Sequence, residues 1–380
     1  MVRWLPLTLS GWFLSLVLAA ADDGLDPYWT RPIPAQGPAP AWATDNPVLT
    51  DLSAETCRLC HPAQFADWSA SLHARAMSPG LLGQLDAFAL DTQRDCLACH
   101  APREESLDHW EAQGLTGAGK ITAIDCAACH VRAHYRQGPR AIAQTPHGPV
   151  AALPLIRQAE FCAPCHQFDA TGLAVNGQPL ENTFAEWQAS RYARAGVTCQ
   201  TCHMPERSHA FKGIHDPETT RRALSVRALR VRDGLRVRAG NVGAGHALPT
   251  YVTPRILVRL QGADGTPSLE HAIARRMRWT AETGWEQLAD DRLLPDQWVD
   301  LTLPLPPQSL GLVRVEVEPG HDYHQRIYPA LPALLGERLS VAGLALLERA
   351  RELAGRSAYT LYRFDCPAWG GAEEPCHAPP

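Results

Sequence analysis

The 380-residue sequence lacks several features that define common classes of protein. It has no basic stretch with interleaved aromatic residues and a formal net charge of −5, which argues against nucleic-acid binding. After residue 21 it has no uncharged apolar run that approaches the roughly 20 residues of a membrane-spanning helix. Lysine and methionine are scarce: Lys120 and Lys212 are the lysines among 35 basic residues, and there are four methionines.

Residues 1–21 have the pattern of a secretory signal peptide. Arg3 supplies the positive start, residues Leu5 to Leu18 form an apolar run, and Ala19 to Ala21 offer a cleavage site. The alternative is an uncleaved membrane anchor, but the run is short for a span of about 20 residues. We therefore predict an exported protein, periplasmic or at the cell surface.

The chain after the signal peptide divides into four further segments that differ in composition and hydrophobic pattern. We predict a proline-rich extended arm at 22–50, a loop-rich domain of short helices at 51–223, an antiparallel β-sandwich-like domain at 224–332, and a C-terminal helix and tail at 333–380. The fold class is therefore multidomain α+β.

The β-domain is predicted from alternating apolar and charged residues. The stretch 229–238 alternates around Asp233-Gly234, which indicates a hairpin, and a second Asp-Gly lies at 264–265. Further strand-like runs cover residues 255–261, 298–303 and 312–318. Residues 336–355 have the pattern of one amphipathic helix.

The 12 cysteines need bond partners, and ten of them fall in a repeated C-x-x-C-H motif, which we number 1 to 5 in chain order. This is the attachment signature of haem c: the two thiols bond to the porphyrin, and the histidine is the proximal ligand of the iron. A zinc site or a redox disulfide would not require the histidine each time. The motifs are Cys57, Cys60 and His61; Cys96, Cys99 and His100; Cys126, Cys129 and His130; Cys162, Cys165 and His166; and Cys199, Cys202 and His203. We predict five covalently attached haem c groups.

The motif starts lie only 30 to 39 residues apart. A segment of this length is too short to enclose a haem by itself. Neighbouring haems must therefore pack against one another. Closely packed haems conduct electrons, and this density is the main argument for electron transfer.

The sixth ligand of each iron is the open question. Because methionine is scarce, we expect two histidines on most irons, an arrangement with lower reduction potentials than His/Met ligation. The candidate distal ligands are His73, His134, His147, His209, His215 and His246. There are six candidates for five irons. If fewer than five of them are ligands, one iron lacks a distal histidine and is open to a small molecule, which would favour an enzyme over a carrier.

Cys366 and Cys376 lie outside the motifs. Cys376-His377 resembles half a motif, but residue 373 is Glu. We expect a Cys366–Cys376 disulfide in an oxidising compartment.

Several segments resemble the multihaem cytochromes of the cytochrome c-554 family. They are residues 57–74, with Trp68, Ser71 and His73; residues 161–168; Thr183, Glu186 and Trp187; residues 199–205; and Gly245, His246 and Pro249. The resemblance implies bis-histidine haems in stacked and perpendicular pairs, with His73 as a distal ligand. Some relatives have one five-coordinate haem, and certain multihaem relatives form filaments. The named family typically has four haems, whereas this chain has five motifs.

We therefore expect an exported electron carrier in a respiratory or extracellular chain. Its expected partners are redox proteins: a membrane quinol dehydrogenase, a terminal reductase or an outer-membrane conduit, with no nucleic acid. We assign no catalytic residue. One alternative is an oxidoreductase with one open haem that acts on a nitrogen or sulfur compound, although no C-x-x-C-K variant is present. Another is a self-associating subunit of a conductive filament.

Overall fold

The computed structural model describes residues 27–43, 50–169, 172–280 and 283–378. The predicted signal peptide lies outside these ranges. Within them, no helix combines the length and the apolar character needed to cross a membrane.

The region that carries the C-x-x-C-H motifs, residues 51–223 and called the motif region below, consists of short helices joined by loops. They are α1 (Ala54–Arg58), α2 (Pro62–Ala70), α3 (Pro79–Leu85), α4 (Leu90–His100), α5 (Glu104–Gln113), α6 (Cys126–His130), α7 (Ala163–His166), α8 (Thr183–Gln188), α9 (Arg191–Arg194), α10 (Cys199–His203) and α11 (Pro217–Ala223). Local sequence starts several of them: the side chains of Ser53, Ser78 and Asp125 cap α1, α3 and α6. Motifs 2 to 5 each end a helix at their histidine.

Short strands interrupt this region. They are β1 (Val131–Arg132), β2 (Tyr135–Gly138), β3 (Val150–Ala152), β4 (Ala174–Val175) and β5 (Gln178–Pro179). β1, β2 and β3 form one small sheet, and β4 and β5 form a hairpin.

The second half is mainly antiparallel sheet. Its strands are β6 (Leu224–Val231), β7 (Gly234–Asn241), β8 (Arg255–Gly262), β9 (Ser268–Ile273), β10 (Arg275–Thr280), β11 (Gly284–Asp290), β12 (Trp298–Pro304), β13 (Gly311–Glu318), β14 (Tyr359–Cys366) and β15 (Glu374–Pro375). Two four-stranded sheets have the orders β12-β7-β6-β15 and β14-β13-β8-β9. Buried side chains of both sheets form one apolar core, and β10 and β11 make a separate hairpin.

The hairpin expected around Asp233 and Gly234 is present, with Val231 paired to Gly234. Glycine is needed at 234 because a Cβ there would collide with the carbonyl oxygen of Leu303 on β12. The strands β9, β10, β11, β14 and β15 were not anticipated from the sequence pattern.

The C-terminal segment differs from the single helix predicted at 336–355. The structure has α12 (Tyr328–Leu335), a 3₁₀ turn (Gly336–Arg338) and α13 (Val341–Gly355). The break has a local cause, because the Ser340 hydroxyl accepts a hydrogen bond from the Gly343 N–H at 3.0 Å and starts a new helix. α13 packs on α3 in the motif region, where Gly83 leaves room for Leu347.

The segment beyond α13 is more than a tail. β14 pairs with β13 in one sheet, and β15 pairs with β6 in the other. A disulfide joins Cys366 at the end of β14 to Cys376 next to β15. The C-terminus therefore ties the two sheets together.

The described part of the arm, residues 27–43, packs on the motif region. Ile33 is fully buried and its backbone pairs with Pro102 and Glu104 on either side of Arg103. Trp29 packs against Phe161, just before motif 4. Apolar contacts thus hold the arm in place although it has no long regular element.

Candidate haem sites

Cysteines of different motifs touch one another. The Cys126 thiol hydrogen-bonds to Cys57, which joins motif 3 to motif 1. The Cys165 thiol hydrogen-bonds to Cys99 and lowers the pKa of Cys99 to about 7. These contacts place motif 1 beside motif 3 and motif 2 beside motif 4.

Two further contacts extend the series through motif 4. The Cys162 thiol hydrogen-bonds to Cys199 of motif 5. Cys129 of motif 3 and Phe161, the residue before motif 4, pack against the same apolar cluster. The motifs therefore form a connected series 1-3-4-5, with motif 2 attached at motif 4.

Four motif histidines face a second histidine across a gap. The pairs are His61 with His147, His166 with His73, His130 with His209, and His203 with His246, and their ring centroids are 6.1 to 6.3 Å apart. A metal–imidazole bond is about 2.0–2.1 Å long and the ring nitrogen lies about 1.2 Å from the ring centre, so two imidazoles on one metal have centroids about 6.4 Å apart. The spacing thus fits one iron between each pair.

Backbone carbonyls orient the rings. Nδ1 of His130 lies 3.0 Å from the Gln137 carbonyl oxygen, and Nδ1 of His203 lies 2.6 Å from that of Lys212. His246 makes the same contact with the Ala247 carbonyl oxygen at 2.9 Å. A proton held on Nδ1 in this way leaves Nε2 as the unprotonated atom that can bind a metal.

The paired rings keep accessible surface. Burial lowers the pKa of His166, and burial together with neighbouring His166 lowers the pKa of His73 to about 4. Both rings nevertheless keep accessible surface, so they do not lie in tight side-chain packing. Neutral imidazoles with accessible ring atoms are suited to binding a metal.

His100 of motif 2 differs from the other motif histidines. Its Nδ1 lies 2.9 Å from the Ala76 carbonyl oxygen, as expected of an oriented ligand. Among the residues that the structure describes, no second histidine ring stands opposite it. This site therefore has a proximal candidate without a distal histidine.

The structure does not pair two of the six distal candidates. His134 follows motif 3 closely in sequence, but its Nε2 lies 3.0 Å from the Gly37 carbonyl oxygen of the arm. His215 is exposed; desolvation by the surrounding protein and then Arg75 lower its pKa, but its ring contacts no motif histidine among the described residues. The other four candidates, His73, His147, His209 and His246, are the paired ones.

Other residues at the site were not singled out from the sequence. Arg31 of the arm bridges motifs 2 and 4, because its Nη1 donates to Cys99 Sγ at 3.5 Å and to the Pro164 carbonyl at 2.6 Å. Phe211 packs against both His73 and His209. Neither residue belongs to a sequence motif, because the groups that each one contacts lie far from it in the sequence.

Two of the segments that carry the family resemblance pack on each other. Glu186 on α8 accepts a hydrogen bond from the Ala247 N–H at 3.0 Å and pairs with Arg292 at 2.9 Å, with both side chains almost fully buried. Trp187 lies against Gly245. α8 therefore positions the loop that carries His246.

Comparisons with known proteins bear on the family and on the fold of the chain. Residues 56–131, which hold motifs 1 to 3, match the family described as cytochrome c554 and c-prime. The fold is similar to that of a penta-haem cytochrome c552 from Thermochromatium tepidum, with a TM-score of 0.57 and 17% identity over 86% of this chain and 99% of that one. No curated protein matches the sequence.

Proposed function

We propose that this chain, of which residues 56–131 match the family described as cytochrome c554 and c-prime, is an exported five-haem electron carrier. The observation that carries the proposal is the set of four histidine pairs, each spaced for one iron, in motifs whose cysteines touch. Haem c supplies reversible one-electron chemistry at its iron when it is bound. The protein's own part is to attach, ligate and order these groups.

The cysteine contacts suggest the order of the path. Because the motif cysteines bond to the haem edge, motifs with touching cysteines bring haem edges close together. We infer a path 1-3-4-5 with a branch to 2 at motif 4, from the contacts Cys57–Cys126, Cys99–Cys165 and Cys162–Cys199. Electrons would enter and leave at motifs 1, 2 and 5, the ends of this series.

The ligand assignment follows from the pairs. We propose His61, His130, His166 and His203 as proximal ligands, with His147, His209, His73 and His246 as their respective distal ligands. His100 is the proposed proximal ligand of motif 2. Two neutral nitrogen donors on an iron favour a low reduction potential, which suits a carrier in a respiratory or extracellular chain.

Location and partners are part of the proposal. The signal-peptide pattern of residues 1–21 supports export, where a quinol dehydrogenase could donate electrons and a terminal reductase or outer-membrane conduit could accept them. Fractionation of cells that express the full chain tests the location. Recovery in the cytoplasm with uncleaved residues 1–21 would contradict it.

Haem counting and low-temperature EPR of the purified holoprotein test the core of the proposal. We expect five haems per chain, with four low-spin ferric signals of bis-histidine type. His73→Ala should convert one low-spin signal to high spin because its iron loses a ligand. The matched control is His215→Ala, another candidate histidine that the structure leaves unpaired, and it should leave the signals unchanged. Fewer than five haems, or an unchanged spectrum in His73→Ala, would contradict the proposal.

One observation favours a second function, that of an oxidoreductase. His100 has no histidine opposite it among the described residues, so a haem attached at motif 2 would have one face without a histidine ligand, where a small ligand could bind. A high-spin ferric EPR signal that shifts on addition of nitrite or hydroxylamine is the expected evidence. Five low-spin signals that do not change on addition of either compound would contradict this second function and leave electron transfer as the proposed one.

A further inference from the structure

Arg31 of the arm contacts two motifs through a single nitrogen. Its Nη1 donates to Cys99 Sγ at 3.5 Å and to the Pro164 carbonyl oxygen at 2.6 Å. Cys99 is the second cysteine of motif 2, and Pro164 lies between the two cysteines of motif 4. One guanidinium group therefore lies against two haem-attachment sites, at a place that we call the 2–4 junction.

The arm is anchored on both sides of Arg31. Two residues later, Ile33 is fully buried and its N–H donates to the Pro102 carbonyl oxygen at 2.7 Å. Two residues earlier, Trp29 is buried and packs against Phe161 with ring centroids 5.1 Å apart. Pro102 lies just after motif 2 and Phe161 just before motif 4. The backbone of the arm is thus fixed to the same two motifs that the guanidinium contacts.

The charge of Arg31 is not neutralised by a carboxylate. A guanidinium remains protonated at every physiological pH. The two acceptors of its Nη1 are a sulfur and a carbonyl oxygen, and among the residues that the structure describes no carboxylate forms an ion pair with Arg31. Arg103, which also lies beside the arm, differs because it pairs with Asp125 at 3.2 Å. The 2–4 junction therefore carries one fixed positive charge.

A fixed cation beside a redox group favours the reduced form of that group. Reduction adds one electron to a ferric iron and breaks no bond, so the charge of the site becomes one unit more negative. Coulomb attraction to the cation stabilises the added electron. In haem c the porphyrin is bonded to the cysteine sulfurs, so the contact with Cys99 Sγ brings Arg31 to the edge of the group at motif 2. At motif 4 the contact is with a backbone carbonyl, and the effect should be smaller.

We propose that Arg31 raises the reduction potentials of the haems attached at motifs 2 and 4, and that of motif 2 more strongly. This inference rests on the proposed function, because it requires haem c at both motifs. An electron that reaches motif 4 from the protein donor is then drawn toward motif 2. Arg31 acts on both groups through its charge and ligates neither iron.

The test is a redox titration of the purified holoprotein followed by EPR. Loss of its low-spin signal in His73→Ala identifies motif 4, and the haem without a distal histidine is that of motif 2. Arg31→Gln should lower the equilibrium constant for reduction of motif 2 about 10-fold, which is about 59 mV for one electron, and that of motif 4 about 3-fold. The other three haems should keep their potentials.

Two further variants separate charge from structure. Arg31→Lys keeps the charge and should leave both equilibrium constants within about 2-fold of the wild type. Arg314→Gln is the matched control, because it removes the same charge from β13, where the cross-strand neighbours are Arg259 and Arg363. It should leave all five potentials unchanged. Because Arg31 is exposed, the shift in Arg31→Gln should shrink at about 1 M salt, where the Debye length is about 3 Å.

A count of five haems per chain in each variant shows that attachment is intact. Five haems with unchanged potentials in Arg31→Gln would overturn the inference while leaving the carrier function in place. Equal losses in Arg31→Lys and Arg31→Gln would also overturn it, since the contact geometry and not the charge would then set the potentials. Fewer than five haems in the wild type would refute the proposed function itself.

Discussion

Glu186 offers a sharp test of how the fold supports a haem site. Its carboxylate pairs with Arg292 at 2.9 Å and accepts the Ala247 N–H at 3.0 Å. The side chains of Glu186 and Arg292 are 6% and 7% exposed, so the pair is desolvated. Removing one partner of a buried pair costs about 3–5 kcal/mol. Because Arg292 keeps Asp290 at 2.9 Å, we expect Glu186→Ala to lower the free energy of unfolding by the smaller figure, about 3 kcal/mol.

The effect should reach His246 specifically. Glu186 holds the backbone N–H of Ala247, and the carbonyl of Ala247 holds Nδ1 of His246. Without this anchor the distal ligand of motif 5 loses its orientation. We expect Glu186→Ala to show partial high-spin character at one haem, with the other low-spin signals unchanged.

Glu186→Gln is the matched control, because it keeps an acceptor for Ala247 but removes the charge. It should destabilise the protein yet retain the low-spin signal of motif 5. Denaturant unfolding followed by circular dichroism gives the stability, and EPR gives the spin state. The reasoning is refuted if Glu186→Ala is as stable as the wild type, or if Glu186→Gln and Glu186→Ala lose the low-spin signal equally.

Three further predictions concern stability. Replacing Cys366 and Cys376 with serine should lower the free energy of unfolding by about 3 kcal/mol, the chain-entropy value for a loop of this size. The denaturant concentration at which the sheets unfold should fall, and an unchanged midpoint would contradict the prediction. Burial raises the pKa of Glu181 to about 7. The folded state therefore binds a proton more tightly than the unfolded state does, and this proton binding stabilises the folded protein by about 3 kcal/mol at acidic pH. The stabilisation should be lost as pH rises from about 4.5 through 7. Glu181→Gln should flatten this pH dependence in unfolding experiments at several pH values. Gly83→Ala should cost about 1–3 kcal/mol by overpacking against Leu347, and it should cost less when it is introduced into Leu347→Ala, where the clashing side chain is gone.

The local features of this protein were predictable from its sequence. The five C-x-x-C-H motifs are contiguous, so their residues lie together in any fold, and the recognised cytochrome c-554 resemblance is confirmed. The mixed helix and antiparallel sheet class also follows from local patterns, as the Asp233-Gly234 hairpin illustrates. In each case the determining residues are neighbours in sequence.

The tertiary structure alone decided which histidines face each other. His73 lies opposite His166 and His147 opposite His61, whereas His134, only four residues after motif 3, is turned toward Gly37. The unpredicted strand β14 likewise depends on a long-range pairing, with β13. Sequence patterns report local periodicity and spacing. A ligand pair depends instead on how distant segments pack together, and no single segment carries that information.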